Sequence, residues 1–305
     1  MSAQILVGKP VVEKIYAELA PSIEQFRKDN GVAPTLAAVR VGNSPTAVSY
    51  AHSIDHQFRR CGMGFQMEAL PDDTTTDRII ERLNELDRLD SVHGILLQRP
   101  LPQAIDVRAV MAAFPVAKDV EGVSPINLGK LALDSGDYFS TSTPSAAIEI
   151  LNHYQFPIEG KRAVIVGRSD ILGKPLALLL MRANATVIVC HSHTQNLADL
   201  TRQADLLIAA IGKPKMITAD MIARDSVVID FGVNVVKDQL VGDVAFDAAK
   251  EIASAITPVP GGTGPVTTMI LMRHTVRAAE RQAKQMGTKG RIRWLPTLKS
   301  PNKRK

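Results

Sequence analysis

Short apolar runs and amphipathic segments follow one another along the first half of the chain, an order typical of β-α-β units. Short apolar runs favour strands, and runs with apolar residues every three or four positions favour amphipathic helices between them. Because strands joined through helices run parallel, the pattern predicts a mainly parallel sheet. The predicted strands are 35–42, 65–70 and the first part of 93–102, which runs on into a Pro-rich loop, and the predicted helices are 44–61 and 75–89.

The second half shows a more regular rhythm. Four nearly continuous apolar strands are predicted at 162–167, 185–192, 205–212 and 226–232, with helical segments between them. Strands that recur about every 20 residues are typical of a doubly wound nucleotide-binding sheet. We therefore predict an α/β protein of two domains.

Charge adds a separate C-terminal feature. The chain has 305 residues and a net charge of +5, but residues 286–305 carry seven Lys or Arg and no Asp or Glu. The remaining body holds 29 basic and 31 acidic residues, which argues against a nucleic-acid partner for it. We expect the tail to be a solvated, disordered extension, and contact of the tail with RNA or a partner protein stays open as the alternative.

The sequence also indicates the cellular compartment in which the protein is found. No apolar run approaches the roughly 20 residues that span a bilayer, and no signal-peptide pattern opens the chain. Two cysteines, Cys61 and Cys190, are too few for a disulfide framework. We expect a cytoplasmic protein with no membrane partner.

A glycine-rich turn follows the first strand of the second half, in the string VIVGRSDILGKP. Such a turn lets backbone N–H groups and a helix N-terminus face a phosphate, although the spacing here alone also fits a structural turn. The end of the next strand, CHSHT, has no acidic residue to bind a ribose hydroxyl, and hydroxyl and cationic groups suit a 2′-phosphate. We therefore predict NADP rather than NAD. The candidate cofactor-binding residues are Gly167, Arg168, Ser169, Gly173, Ser192 and Val233.

The string TPVPGGTGPVT at 257–267 holds three prolines and three glycines in eleven residues. It predicts a stiff loop whose backbone approaches something closely, because few side chains stand in the way.

A second conspicuous string, SYAHSIDHQF at 49–58, places His52, Asp55 and His56 on one helix stripe. Two histidines at i and i+4 could bind a metal, but no third ligand is evident, so we predict no metal and a solvated, salt-bridged stripe.

Taken together, these strings resemble the bifunctional methylenetetrahydrofolate dehydrogenase/methenyltetrahydrofolate cyclohydrolase family, known as FolD. The resemblance covers roughly residues 4–283 and includes VGNSPTAVSY, GILLQRPLP, KDVEG, GRSDILGKP and TPVPGGTGPVT in the family's order. It implies a folate-binding catalytic domain and a Rossmann-type NADP-binding domain that share a cleft for both reactions. It also implies a homodimer paired through the nucleotide domain. The implied bounds are 1–145 for the catalytic domain, 146–265 for the NADP-binding domain, and 266–285 for a last helix that packs back on the first domain.

The resemblance also assigns roles to residues of the cleft. Tyr50 matches the family's tyrosine against the folate, and Gln98 matches the glutamine that helps to tune the catalytic lysine. Glu121 stands where the family has a pterin-binding aspartate. The implied catalytic residues are Tyr50 and Gln98, and the implied substrate-binding residues are Tyr50, Glu121, Pro260, Gly261 and Gly262. Thr263 and Arg99 are milder departures from a usual valine and leucine.

The largest departure is Ile54, which stands where the resemblance places the catalytic lysine. An isoleucine cannot transfer a proton or stabilise an oxyanion, whereas hydride transfer depends on geometry and on the cofactor. The sequence therefore predicts an NADP-dependent methylenetetrahydrofolate dehydrogenase whose cyclohydrolase step is weak or lost. Two alternatives stay open: a dehydrogenase for a modified folate or another one-carbon carrier, and a non-catalytic NADP-binding subunit. We expect Gln98 and Arg99 to point to opposite sides of a strand, which disfavours Arg99 as a substitute for the lysine.

Overall fold

The computed structural model describes the backbone of residues 2–292 and the side chains of residues 2–45 and 47–285. The strands are β1 Gln4–Ile5, β2 Thr35–Val41, β3 Gly64–Leu70, β4 Gly94–Leu97, β5 Arg162–Val166, β6 Thr186–Cys190, β7 Leu206–Ala209, β8 Val227–Asp230, β9 Asn234–Val236, β10 Gln239–Val241 and β11 Ala255–Ile256. The helices are α1 Gly8–Asn30, α2 Pro45–Arg60, α3 Thr76–Asp87, α4 Val107–Ala112, α5 Pro125–Leu133, α6 Ser142–His153, α7 Gly173–Arg182, α8 Leu197–Thr201, α9 Phe246–Ala249 and α10 Thr263–Ile292.

The smaller sheet is parallel and has the order β3-β2-β4. Alternate residues of its strands point to opposite faces, and both faces are buried. On one face Ala37, Val39 and Ile95 join a core with apolar residues of α3 and α4. On the other face Leu36 and Leu96 join the core that contains α1 and α10. This double cover explains why the strands read as continuous apolar runs.

The larger sheet is also parallel and has the order β1-β11-β8-β7-β5-β6. After β5 the chain moves outward to β6, and the later strands are then added on the other side of β5. The order therefore reverses between β5 and β7. In open α/β sheets this reversal opens a crevice at the carboxyl ends of the strands, and ligands bind there.

Both ends of the described chain cross between the two sheets. Strand β1 pairs with β11 at the edge of the larger sheet, although α1 immediately leaves it for the smaller one. At the other end, α10 packs against α1 and α6. A single hydrophobic cluster contains Ile15 of α1, Leu36 of β2, Ile150 of α6 and Ile270 of α10. The two sheets are therefore joined by a shared core rather than by a linker alone.

The predicted α/β fold is confirmed, and the predicted strands lie close to the observed ones. Helix α10 begins at Thr263 and not at 266, because Pro265 lies in its first turn, where a helix tolerates proline. Its backbone also continues through residues 286–292, which we had assigned to the tail, and residues 293–305 lie outside the described residues. Across residues 2–292, none of the helices is both long enough and apolar enough to cross a bilayer.

Candidate active-site cleft

A cleft of about 310 Å³ lies between α2, the Pro-Gly loop and the β9–β10 hairpin. Helix α2 contributes Tyr50, Ser53 and Gln57, which lie on one stripe at i, i+3 and i+7. The opposite wall consists of residues 258–265 with Thr268, and the third side consists of Gly232, Val233 and Leu240. The cleft thus brings together Tyr50, Val233 and the Pro-Gly-Gly residues, which are predicted from distant parts of the sequence.

Tyr50 and Ile54 differ in their surroundings, although the family resemblance gives both positions a role in the cleft. Tyr50 is 44% exposed and lines the cleft, whereas Ile54 is 0% exposed and belongs to the hydrophobic core with Phe58. The buried stripe of α2 runs through Ala51, Ile54 and Phe58, so Tyr50 lies at its border. Loss of solvent around the hydroxyl and the negative charge of Glu121 both raise the pKa of Tyr50, which strengthens the preference of this phenol for its protonated form.

The conspicuous stripe of α2 faces away from this core. His52 and His56 are exposed, and Asp55 forms an ion pair with Arg59 at 2.5 Å, one turn along the helix. This is the salt-bridged, solvated stripe that the sequence predicts. Among the described residues, no group of three or more His, Cys, Asp or Glu side chains is arranged to hold a metal ion.

Gln98 is buried immediately beyond the end of β4. Its Nε2 donates a hydrogen bond to the carbonyl oxygen of Ala47 in α2 at 3.4 Å. Its Oε1 is buried and has no hydrogen-bond partner among the described residues. A buried acceptor without a donor is costly, so the side chain has capacity for one more hydrogen bond.

Glu121 is half-buried and lies within electrostatic reach of Tyr50. Burial, assisted by the carboxylate of Asp119, raises the pKa of Glu121 to about 7, and the positive charge of Arg99 opposes this shift. Arg99 therefore lies within electrostatic reach of Glu121. Strand β4 ends at Leu97, so Gln98 and Arg99 belong to the following turn.

The Pro-Gly-Gly segment is held against the start of α1. The Val259–Pro260 peptide is cis, and Gly261 has a φ of 98°, which favours glycine. The carbonyl oxygen of Gly261 accepts a hydrogen bond from Gly8 N at 2.7 Å. A Cβ added to Gly8 would lie 2.2 Å from the carbonyl oxygen of Gly262. The loop backbone therefore lies close to α1 on one side and open to the cleft on the other.

The glycine-rich turn lies at the reversal point of the larger sheet. Gly167 has a φ of 135°, and a Cβ there would lie 2.1 Å from the carbonyl oxygen of Ala210 beyond β7. A Cβ on Gly173, the first residue of α7, would lie 2.1 Å from the carbonyl oxygen of Gly167. Both glycines are thus required for close packing of the turn, and the N-terminus of α7 is placed where a phosphate would meet its N–H groups.

The predicted phosphate contacts cluster beside this turn. Arg168, Ser169 and Ser192 are all exposed at the carboxyl ends of β5 and β6. The loop after β6 is closed by a hydrogen bond from His191 N to Thr194 Oγ1 at 2.8 Å, and His191 to Thr194 include no carboxylate. This set of cationic and hydroxyl groups fits a 2′-phosphate.

Two family models match the chain. The catalytic-domain model of the tetrahydrofolate dehydrogenase/cyclohydrolase family matches residues 6–121, and its NAD(P)-binding-domain model matches residues 141–283. This chain belongs to the tetrahydrofolate dehydrogenase/cyclohydrolase family. The predicted resemblance and the predicted dinucleotide-binding domain are therefore confirmed.

Individual members of the family agree with this assignment. The bifunctional protein FolD of Acidobacterium capsulatum is 43% identical over 284 residues, which cover 93% of this chain and 99% of that protein. The bifunctional FolD of Campylobacter jejuni superimposes with a TM-score of 0.88 at 38% identity, covering 92% of this chain and 100% of that one. The Trypanosoma brucei FolD, solved with NADP cofactor and an inhibitor, has a TM-score of 0.89 at 32% identity and covers 93% and 99%.

Some residues of the cleft in this family member were not predicted from the sequence. Ser53 and Gln57 line the cleft with Tyr50, and Gly8 supports the Pro-Gly-Gly segment. Helical spacing from Tyr50 was a usable signal for Ser53 and Gln57, but the apolar residues Ile54 and Phe58 drew attention to the neighbouring stripe. No local signal marks Gly8, because its role depends on a loop some 250 residues away.

Proposed function

We propose that this protein is an NADP-dependent methylenetetrahydrofolate dehydrogenase whose cyclohydrolase step is weak or lost. The observation that carries the proposal is the complete burial of an isoleucine, Ile54, at the position where the resemblance places the catalytic lysine. The cleft keeps Tyr50 and the Pro-Gly-Gly loop, and Gln98 lies buried against α2, which supports binding of a folate.

The cofactor half of the proposal rests on the glycine-rich turn and its neighbours. Gly167, Gly173 and the N-terminus of α7 would hold the pyrophosphate, and Arg168 with Ser192 would bind the 2′-phosphate. The relative from Trypanosoma brucei, whose structure contains NADP, supports this choice. Bound NADP would accept a hydride from the methylene carbon of the substrate.

The protein's own contribution to hydride transfer is binding and orientation. Tyr50 offers an aromatic face beside the Pro-Gly-Gly loop, and its raised pKa keeps the phenol protonated well beyond neutral pH. The Glu121 carboxylate would accept hydrogen bonds from the donor edge of a pterin. The stiff loop at 258–265 brings backbone close to the substrate without intervening side chains.

Hydrolysis of the methenyl product makes a different demand. Water must be deprotonated and a tetrahedral intermediate stabilised, which is work for a positioned acid–base group. Ile54 supplies neither, and the Tyr50 phenol cannot act as a base at neutral pH because its raised pKa keeps it protonated. Loss of such a group commonly lowers the rate by about two to four orders of magnitude.

A paired assay tests the proposal on the purified protein. Methylenetetrahydrofolate and NADP are supplied, and NADPH and the methenyl product are followed separately. We expect NADPH to form and the methenyl product to accumulate in equal amount. Loss of the methenyl product faster than its uncatalysed hydrolysis would contradict the second half of the proposal and direct attention to Glu121, whose pKa near 7 suits a general base.

A second candidate is a dehydrogenase for a modified folate or another one-carbon carrier. It is favoured by Glu121, because a glutamate places its carboxylate about 1 Å further out than an aspartate, and displacements of this size affect catalysis. Oxidation of another carrier in the absence of methylenetetrahydrofolate turnover would support this candidate. NADP binding without turnover of any folate would instead support a non-catalytic subunit.

A further inference from the structure

Gly232, Val233 and Leu240 form the side of the cleft that we call the cofactor-side wall. Two buried carboxylates, Asp230 and Asp243, lie behind this wall. Asp230 is the last residue of β8, and Asp243 follows β10. Both are almost completely buried, with 2% and 0% exposure. Neither side chain lines the cleft, yet both accept hydrogen bonds from the segments that do.

The Asp243 carboxylate accepts four hydrogen bonds from two separate segments. Its Oδ2 accepts hydrogen bonds from Ile211 N at 2.6 Å and Gly212 N at 2.9 Å. Its Oδ1 accepts from Lys213 N and from Asn234 Nδ2, both at 2.9 Å. The first three donors are consecutive amides of the loop after β7, and the fourth is at the start of the β9–β10 hairpin. One carboxylate therefore fixes the loop to the hairpin.

Asp230 connects the same hairpin to the Pro-Gly loop. Its Oδ1 accepts hydrogen bonds from Gly232 N at 2.7 Å and Asp243 N at 3.1 Å, and its Oδ2 accepts from Val244 N at 2.9 Å. The backbone N of Asp230 donates to Thr257 Oγ1 at 2.8 Å, and Thr263 Oγ1 donates to the Asp230 carbonyl oxygen at 3.3 Å. Thr257 and Thr263 bracket the Pro-Gly-Gly segment.

The packing leaves little freedom around these carboxylates. A Cβ on Gly232 would lie 2.2 Å from Asp243 N, and a Cβ on Gly242 would lie 1.9 Å from Asp230 Oδ2. Gly232 itself lines the cleft, beside Val233 and opposite the Pro-Gly loop. A shift of either carboxylate would therefore move a wall of the cleft directly.

We propose that Asp243 and Asp230 are positioning residues that set the separation of the cofactor-side wall from the Pro-Gly loop, and so the approach of nicotinamide to the folate carbon. This inference rests on the proposed dehydrogenase function. Hydride transfer is sensitive to the distance between donor and acceptor atoms, and a displacement of about 1 Å can cost about a hundredfold in rate. Neither residue touches the reacting atoms.

The hydrogen bonds of these two carboxylates do more than anchor loops, because they lie at the carboxyl ends of the strands. The loop after β7, the segment after β8 and the segment after β10 all lie at the edge of the larger sheet where ligands of such folds bind. An exposed carboxylate, Asp205, accepts a hydrogen bond from Arg162 N at 2.7 Å at the amino ends of the strands of the same sheet. Asp205 therefore provides a control for removal of a carboxylate charge away from the cleft.

The test replaces Asp243 with its near-isosteric amide, Asp243→Asn. An asparagine has one acceptor oxygen, so its NH₂ group must face two of the four donors. In the protein without cofactor, we expect faster amide hydrogen exchange over residues 211–213 and 234–242 and no change over 162–166. In the dehydrogenase assay, well below the melting temperature, we expect kcat to fall about 10- to 100-fold. We expect Asp205→Asn to leave both readouts within twofold of wild type.

A second variant keeps the test informative if Asp243→Asn does not fold. Asn234→Ala removes only one of the four donors, and we expect a smaller fall in kcat together with faster exchange confined to the hairpin. A variant that loses thermal stability but keeps wild-type kcat would show that these residues only stabilise the fold, and would overturn the inference. A wild-type protein that does not oxidise methylenetetrahydrofolate would defeat the proposed function instead, and the exchange experiment would still report on the carboxylates.

Discussion

At the scale of single residues, Ile54 and Gln98 are linked through helix α2. Gln98 donates to the carbonyl oxygen of Ala47, which lies seven residues before Ile54 and therefore on the same face of the helix. Side chains of a helix tilt toward its N-terminus, so a lysine at position 54 would extend toward the turn that contains Ala47. The buried Gln98 Oε1 that has no partner in the described structure is a suitable acceptor for its ammonium group.

We therefore expect Ile54→Lys to raise the cyclohydrolase rate by about two orders of magnitude and to preserve dehydrogenase activity. Because position 54 is fully buried, the free energy of unfolding should fall by about 2–3 kcal/mol. Ile54→Met, of similar length and without charge, is the control and should leave hydrolysis unchanged. Equal hydrolysis rates in the two variants would show that the cleft has diverged beyond this position.

The pKa of Glu121 predicts a pH dependence for substrate capture. Burial and Asp119 raise this pKa to about 7, so the carboxylate is charged above that pH and becomes protonated below it. We expect kcat/KM for methylenetetrahydrofolate to fall as pH decreases through 7, because the protonated acid loses acceptor capacity. Glu121→Gln should abolish this limb of the profile.

Arg99 offers an independent check on that assignment. Its charge lowers the pKa of Glu121, so Arg99→Leu should move the acidic limb of kcat/KM to higher pH, and Arg99→Lys should leave it nearly in place. If the limb survives Glu121→Gln, a different group titrates.

At the scale of elements, the sequence predicted strands and turns best where one local pattern was sufficient. Strands β5, β7 and β8 are continuous apolar runs, and Gly167 and Gly173 are glycines that the turn requires. The β9–β10 hairpin was missed because its exposed residues, such as Val235 and Leu240, show no buried pattern. The periodicity of α2 defined its stripes correctly but not which stripe borders the cleft, since that depends on packing against a distant loop.

The glycine-rich turn allows a matched comparison of two helical glycines. Gly173→Ala places a methyl group 2.1 Å from the Gly167 carbonyl oxygen, so the turn must move, and we expect the Kd for NADP to rise at least about tenfold. Gly129→Ala in α5 meets no atom within 4 Å and should raise the free energy of unfolding by about 0.5–1 kcal/mol without affecting NADP. Titration calorimetry and thermal melts measure the two effects, and an unchanged Kd for Gly173→Ala would argue against phosphate binding at this turn.

At the scale of the whole molecule, the two sheets share one core, while one edge of the larger sheet is open. Within the described residues β6 is an edge strand, and Val189 on it is 38% exposed. An edge strand with exposed apolar residues is a site for association with another chain. This supports the homodimer that the family resemblance implies, paired through the nucleotide domain.

We expect sedimentation equilibrium to give twice the chain mass for the wild type and a monomer for Val189→Lys, because a lysine would have to be buried at the interface. Val32→Lys, at an exposed valine far from this edge, is the control and should remain dimeric. A wild-type monomer would contradict the proposed dimer.

The crossing of both chain ends between the sheets has a consequence for biosynthesis. Strand β1 and helix α1 leave the ribosome some 250 residues before their partners β11 and α10. The apolar face of α1 therefore stays uncovered by α10 through most of translation, whereas strands β5 to β8 can assemble as they emerge. Helix α1 is therefore among the last of the described helices to be fully buried, and the nascent chain that presents its apolar face is exposed to aggregation and to chaperones.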